Sequence, residues 1–248
     1  MYTLLKSEVG AFPEPVYPRG IDLHAEDLKA RRRLYPITLV YSVYFVVLFT
    51  LMLRSAHALL GLGFVALALL AWTPIEYYGH RDILHGVFPK GPGLWARSLH
   101  NLFDASHADH HARPWDGMYI NGHVDTLFAA AVIFPLTFLA PLHTVPLFVA
   151  TVFFCHALEE WTHHATHFWN FKWTYFQYIR RRHLYHHTRH GVGIAYGITS
   201  GLWDVVAGTR IGPAERRMLS IRSRAGRVAA PRAPERYRGA RACPGQRP

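Results

Sequence analysis

Three stretches of the chain, residues 34–53, 56–75 and 126–158, contain no Asp, Glu, Lys or Arg. A helix that crosses the hydrocarbon layer needs about 20 mostly apolar residues, so the first two are each one crossing and the third has room for two. Inside the third, PLHTVP at residues 141–146 sets two prolines around a polar pair, which disfavours a continuous helix and marks a turn. The pattern predicts an all-α integral membrane protein with four transmembrane helices arranged as two hairpins. The competing reading, core helices of a soluble α protein, fits the length of the uncharged runs less well. Tyr35, Trp72, Tyr77 and Tyr78 lie near the ends of the runs, where aromatic side chains anchor at the membrane interface.

Charge orients these hairpins. KARRR at residues 29–33 precedes the first run, and the positive-inside rule places it in the cytoplasm. Two hairpins return the chain to the same side, so the segments between and after them are expected there too. No apolar stretch precedes Lys29, and no cleavable signal peptide is expected. The expected organisation is an N-terminal cytoplasmic segment (1–33), a membrane domain (34–209) and a C-terminal tail (210–248).

Composition agrees with a membrane chain: 50% of residues are hydrophobic and 17% charged, against about 25% charged in ordinary soluble domains. The net charge of +11 does not point to nucleic acid. From Ile211 onward there are ten Arg and two Glu, so +8 of the total sits in the tail. That tail is rich in Arg, Pro, Gly and Ala, is expected to be disordered, and suits anionic lipid better than a base sequence. No nucleic-acid-binding signature is present. Cys155 and Cys243 form neither a disulfide framework nor a metal pair.

The chemistry lies in the 18 histidines. Most fall into four boxes: HRDILH (His80, His85), HADHH (His107, His110, His111), HHATH (His163, His164, His167) and HLYHH (His183, His186, His187). All four lie on the side assigned to the cytoplasm. On a helix, HxxHH sends its three imidazoles from one face. His163 or His164 can share the face of His167, and helical geometry alone barely chooses between them. His80 and His85, five apart, sit about 140° from each other on an ideal helix, so the first box needs a helix end or two approaches to one ion. Clustered histidines repel when protonated and lose hydrogen bonds when buried neutral; a metal removes both costs. Leaving out His164, ten imidazoles are too many for one ion and give two ions about five each. Zinc prefers four ligands in a closed set, whereas a redox iron keeps a position open, so two iron ions are expected, with zinc able to replace them on purification. Asp82, Asp104, Asp109, Asp116, Glu159, Glu160 and Asp204 are available to orient imidazoles. Asp116 in PWDG and Asp204 in LWDV are the better candidates, being close after a box. His100, His123, His156 and His190 are weaker ones.

At these residues the chain resembles the fatty acid hydroxylase superfamily of histidine-box membrane oxygenases. The boxes occur in the family's order, and GITSGLWDVVAGT after the last box resembles its closing segment. EYYGHRDILH, SHADHHARPWDG and EEWTHHATHF look most like the fatty acid 2-hydroxylase branch. The resemblance covers about residues 34–209. It implies a four-span fold with a cytoplasmic dimetal cap, in the bacterial inner membrane or endoplasmic reticulum. It also implies a metal role for His80, His85, His107, His110, His111, His163, His167, His183, His186 and His187, which leaves His164 to orient a ligand from behind or to pack beside the site. The reaction implied is hydroxylation of an unactivated C–H bond of a lipid, a fatty acyl chain first of all, with O2 as co-substrate. These 248 residues carry no cytochrome b5-like segment, so the electrons are expected from a separate cytochrome b5-like or ferredoxin-like carrier.

Two other functions fit part of the pattern. Desaturation or methyl oxidation by the same dimetal chemistry differs only in product. A metal transporter or histidine-ligated haem protein differs in class, but transport favours ionisable groups near mid-span, and haem needs only a few axial histidines.

Overall fold

The computed structural model describes residues 18, 20–86, 93, 94, 96, 97, 103–119, 135 and 137–217. Residues 1–17, the first part of the third apolar run (126–134), His100, His123, Cys243 and the tail beyond residue 217 lie outside the described residues, as does the side chain of Asp104. The described residues contain helices and no strands. They belong to two units, Met1–Arg210 and Ile211–Pro248. In the second unit, residues 213–217 are helical. Every candidate site residue belongs to the first.

The first helix, α1 (Leu23–Leu53), begins well before the uncharged run because Asp22 caps it, accepting from the amides of His24 and Ala25 at 3.0 and 3.1 Å. It passes residue 33 without a break. At 1.5 Å per residue its 31 residues reach about 46 Å, more than the hydrocarbon thickness of about 30 Å. The surplus is its charged first third. Glu26 and Asp27 there hold Lys29 and Arg31 at 2.7 and 2.8 Å. The second helix, α2 (Ala58–Tyr78), runs directly into a π-helical segment, Gly79–Leu84.

After α3 (Asp104–Ala112) comes the PWDG loop, where a Cβ on Gly117 would stand 2.3 Å from the Glu26 carbonyl oxygen. Only glycine allows the loop so close to α1. There the Gly117 amide donates to Glu26 Oε2 at 2.9 Å. The turn expected at PLHTVP is present: the Thr144 amide donates to Pro141 O at 2.9 Å, and α4 (Val145–Phe168) starts with Pro146 in its first turn. Proline suits that position because its missing N–H would have no helical acceptor. Two shorter helices follow, α5 (Thr174–His186) and α6 (Leu202–Val206).

Helices α1 and α2 both pack on α4. Ile37 and Tyr41 of α1 meet Ala157, and Leu48 and Met52 meet Leu147 and Ala150. The faces turned away from α4 are apolar and bare, with Leu39 66%, Leu70 70% and Leu59 86% exposed. Water would penalise such surface, whereas lipid does not. Among the described residues, Leu23–Leu53 and Ala58–Leu84 are long and apolar enough to cross a membrane. The apolar half of α4 packs against both, and its last turns carry Glu159, Glu160, His163 and His167.

Candidate metal centre

The π-helical segment resolves the spacing of the first box. Its hydrogen bonds close from residue i to i+5, so five residues make about one turn and residues five apart share a face. The His85 amide donates to the His80 carbonyl at 3.1 Å, and the two rings come within 5.1 Å of each other, centroid to centroid.

Four chain segments then bring ten imidazoles into two groups of five. One group is His80, His85, His107, His111 and His186; the other is His110, His163, His167, His183 and His187. In each group the nearest ring nitrogens all lie within 4.8 Å of one another. Each HxxHH box is divided between them. HADHH gives two histidines to the first group and one to the second, and HLYHH gives one and two. Consecutive histidines of a helix point to different sides of the seam, so His111 and His187 stack across it at 4.2 Å.

These are the ten histidines of the sequence-based ligand set. His164, the eleventh, is turned toward α1: its Nε2 lies 2.9 Å from Asp27 Oδ1, and its ring packs on Trp161, Phe168 and Trp169. Asp116 is not brought to either group. Its carboxylate faces Lys29 at 3.4 Å and accepts from the Met118 amide at 2.9 Å. Asp82 and Asp109 pair with Arg81 and Arg113. A separate small group, His156 with Glu159 and Glu160, lies on α4, with His156 Nδ1 3.3 Å from Glu159 Oε2.

Within the two groups the imidazoles face one another through Nε2. In the first, His85 meets His186 at 2.9 Å and His107 at 3.0 Å, and His80 meets His107 at 3.2 Å. In the second, His167 and His187 meet His183 at 2.8 and 3.0 Å, and His163 meets His110 at 3.0 Å. His80 Nδ1 donates to the Tyr196 carbonyl, and His186 Nδ1 to the Ile194 carbonyl at 2.8 Å. With the proton on Nδ1, both rings turn an Nε2 lone pair inward. A cation placed among the five nitrogens would accept all of their lone pairs at once.

The spacing fits one. Two nitrogens at right angles on an ion with bonds of about 2.1 Å stand about 3.0 Å apart, whereas a tetrahedral angle needs about 3.4 Å. Two sets of five neutral nitrogens at these separations suit ions of higher coordination number than a closed tetrahedron. Burial, reinforced by the neighbouring imidazoles, holds His85, His107, His110, His111, His163, His167, His183 and His187 well below the usual histidine range. Burial lowers His186 to about 3. The rings are therefore unprotonated at neutral pH, the state in which imidazole binds a metal.

Behind the first group is the loop between α5 and α6. Asp204, 1% exposed, accepts from the amides of Tyr196 and Gly197 at 2.9 and 3.0 Å, from the Thr209 hydroxyl at 2.8 Å, and from the Arg182 guanidinium. Glu76, one helical turn before His80, accepts from the amides of Ile198 and Thr199 at 2.6 and 2.7 Å and from the Thr199 hydroxyl. The sequence reading had Asp204 accept an imidazole N–H. In the structure the acceptors are the carbonyls of Ile194 and Tyr196, and Asp204 holds the loop that carries them. Sequence reading missed Glu76 and Arg182, although for Glu76 an ionisable residue in an apolar span is by itself a signal.

With this geometry in place, the comparisons with known proteins are informative. A family model described as fatty acid hydroxylase matches residues 65–209. The dihydroceramide fatty acyl 2-hydroxylase FAH2 of Arabidopsis thaliana is 33% identical over 58% of this chain and 59% of its own length. The fatty acid 2-hydroxylase of Rattus norvegicus is 28% identical over 58% of this chain and 38% of its own length. The match therefore spans about three-fifths of the plant relative and under two-fifths of the mammalian one. A solved structure described as full-length scs7p, with only the hydroxylase domain visible, superposes with a TM-score of 0.58 at 23% identity, over 71% of this chain and 66% of that one. It establishes the shared fold.

Proposed function

The chain belongs to the fatty acid hydroxylase family, with 2-hydroxylases among its relatives, and from that premise we propose that it is a membrane oxygenase that hydroxylates the acyl chain of a lipid. The observation that carries this reading is the gathering of ten neutral imidazoles into two groups of five in a chain that also carries helices apolar enough to cross a membrane. His80, His85, His107, His111 and His186 would hold one iron, and His110, His163, His167, His183 and His187 the other. When bound, the iron pair supplies activation of O2, chemistry that no side chain provides alone.

The balance is that of a monooxygenase. One oxygen atom enters a C–H bond as hydroxyl and the other leaves as water, consuming two electrons and two protons. The electrons come from a separate carrier, cytochrome b5-like or ferredoxin-like.

The chain's own part is to hold the imidazoles deprotonated, keep water from the seam between the groups, and admit an acyl chain from the bilayer beneath. Four spans, in two hairpins, with the histidines on the cytoplasmic side complete the reading. The bare apolar faces of α1 and α2 and the turn before α4 support it. The names of the 2-hydroxylase relatives support attack at the carbon beside the acyl carbonyl.

Lipid mass spectrometry of cells with and without the expressed chain tests the proposal. Acyl species heavier by one oxygen, absent when His110 is replaced by alanine, are expected. Species lighter by two hydrogens would assign a desaturase instead, and an unchanged lipid profile would remove the hydroxylase reading.

A further inference from the structure

Ala195 lies between Ile194 and Tyr196, the two residues whose carbonyls accept from His186 and His80. Its φ is +61°, and it is the sole non-glycine residue with positive φ among the described residues. Left-handed backbone is unfavourable for an L-residue, so something must impose it. Outliers of this kind cluster where a conformation is used.

The imposed conformation aims the Ile194 carbonyl at His186, eight residues earlier in the chain, and the Tyr196 carbonyl at His80 on the π-helical segment. The Ala195 amide donates to Thr209 O at 2.8 Å, and the Thr209 hydroxyl donates to Asp204. The same carboxylate takes the amides on the far side of Ala195, those of Tyr196 and Gly197. Asp204 thus fixes the strained residue from both directions. Space is closed as well: a Cβ on Gly197 would lie 2.0 Å from Ser200 O and 3.1 Å from Asp204 Oδ2.

In the second group, Nδ1 of His110, His183 and His187 is buried without a hydrogen-bond partner among the described residues. We infer that Asp204 is a positioning residue for one metal of the pair: through the Ile194–Tyr196 backbone it sets the tautomer and aim of His80 and His186, and so determines how tightly the His80/His85/His107/His111/His186 group holds its ion, without acting on the other group. This rests on the dimetal reading above. A group that orients a ligating histidine typically contributes about 10- to 100-fold to metal affinity.

The test uses the full chain in detergent, loaded with Zn2+ alone and titrated against a chelator, with metal per chain measured by elemental mass spectrometry. Wild type holding fewer than two ions would overturn the dimetal reading itself. In a background with His167→Ala and His183→Ala, one ion remains, and Asp204→Asn should weaken it by about 10- to 100-fold. In a background with His107→Ala and His186→Ala, the remaining ion should be unmoved by Asp204→Asn. Equal weakening in both backgrounds would make Asp204 a general structural residue, and no weakening in either would disconnect it from the metals; both overturn the inference. If Asp204→Asn does not fold, Thr209→Val, which removes one of its donors, should produce the same selectivity at smaller size, and its absence there counts equally against the inference. Ala195→Gly, which keeps the left-handed conformation without the strain, should leave both ions in place.

Discussion

The two groups of five imidazoles are alike in number and ligand type and unlike in what holds them. The first is assembled from the π-helical segment, α3 and the end of α5, and two of its rings rest on a loop that Asp204 and Glu76 fix from behind. The second draws three of its five histidines from α4 and α5 and a fourth, His187, from the residue that caps α5, at helical spacing, where the helix backbone itself sets direction. Regular helices fix ligands by period alone. His80, outside that period, takes an acceptor from the loop, and His186 takes one too although its helix already sets its direction.

The largest effect that separates the groups should come from the ligands themselves. His186→Ala and His183→Ala should each abolish hydroxylation and remove one ion, but from different groups. Metal analysis of the double variant checks this, because it should be empty, whereas each single variant retains one ion. Loss of both ions from either single variant would mean the groups cannot be filled independently.

A second contrast lies inside the third box. His163→Ala should empty the second group. His164→Ala should leave both ions in place and instead lower thermal stability by about 2–5 kcal/mol, the cost of emptying a buried site packed on Trp161, Phe168 and Trp169. Iron content together with a melting curve distinguishes them. An emptied second group in His164→Ala would reverse the assignment.

A smaller effect is expected at Gly197, where a Cβ meets backbone rather than a movable side chain. Gly197→Ala should displace the Ile194–Tyr196 carbonyls and weaken the first group by at least about tenfold, with the second intact. Chelator titration measures both. The smallest effect belongs to the C-terminal unit. Truncation after Arg210 removes no histidine of either group and should leave both ions bound, as read by metal per chain. Loss of metal would show that the site depends on residues beyond that boundary.

Much of this site was legible in the sequence because helical spacing carries direction. HxxHH marks a shared helix face wherever it occurs, and both such boxes lie on helices here. Their division between two ions was less visible, since it depends on how α3, α4 and α5 cross. The first box was unreadable under a 3.6-residue period, because nothing in HRDILH announces a π turn. The acceptors behind His80 and His186 were invisible for a plainer reason: every residue has a carbonyl, and only the fold selects Ile194 and Tyr196. Asp204 was noticed for its place beside Trp203, but with the wrong mode of action. Asp116 satisfied the same pattern, yet it serves the contact with Lys29, since a carboxylate close after a box can face either way. The apolar runs conveyed the helices but not their ends. The first helix extends through the charged segment because Asp22, not the change in hydropathy, starts it.

Anomalous scattering from crystals of the iron-loaded chain tests the central claim most directly. Two peaks at the iron edge are predicted, one enclosed by His80, His85, His107, His111 and His186 and one by His110, His163, His167, His183 and His187. A single peak on the seam, or a peak at His156, Glu159 and Glu160 with either group of five empty, would contradict it.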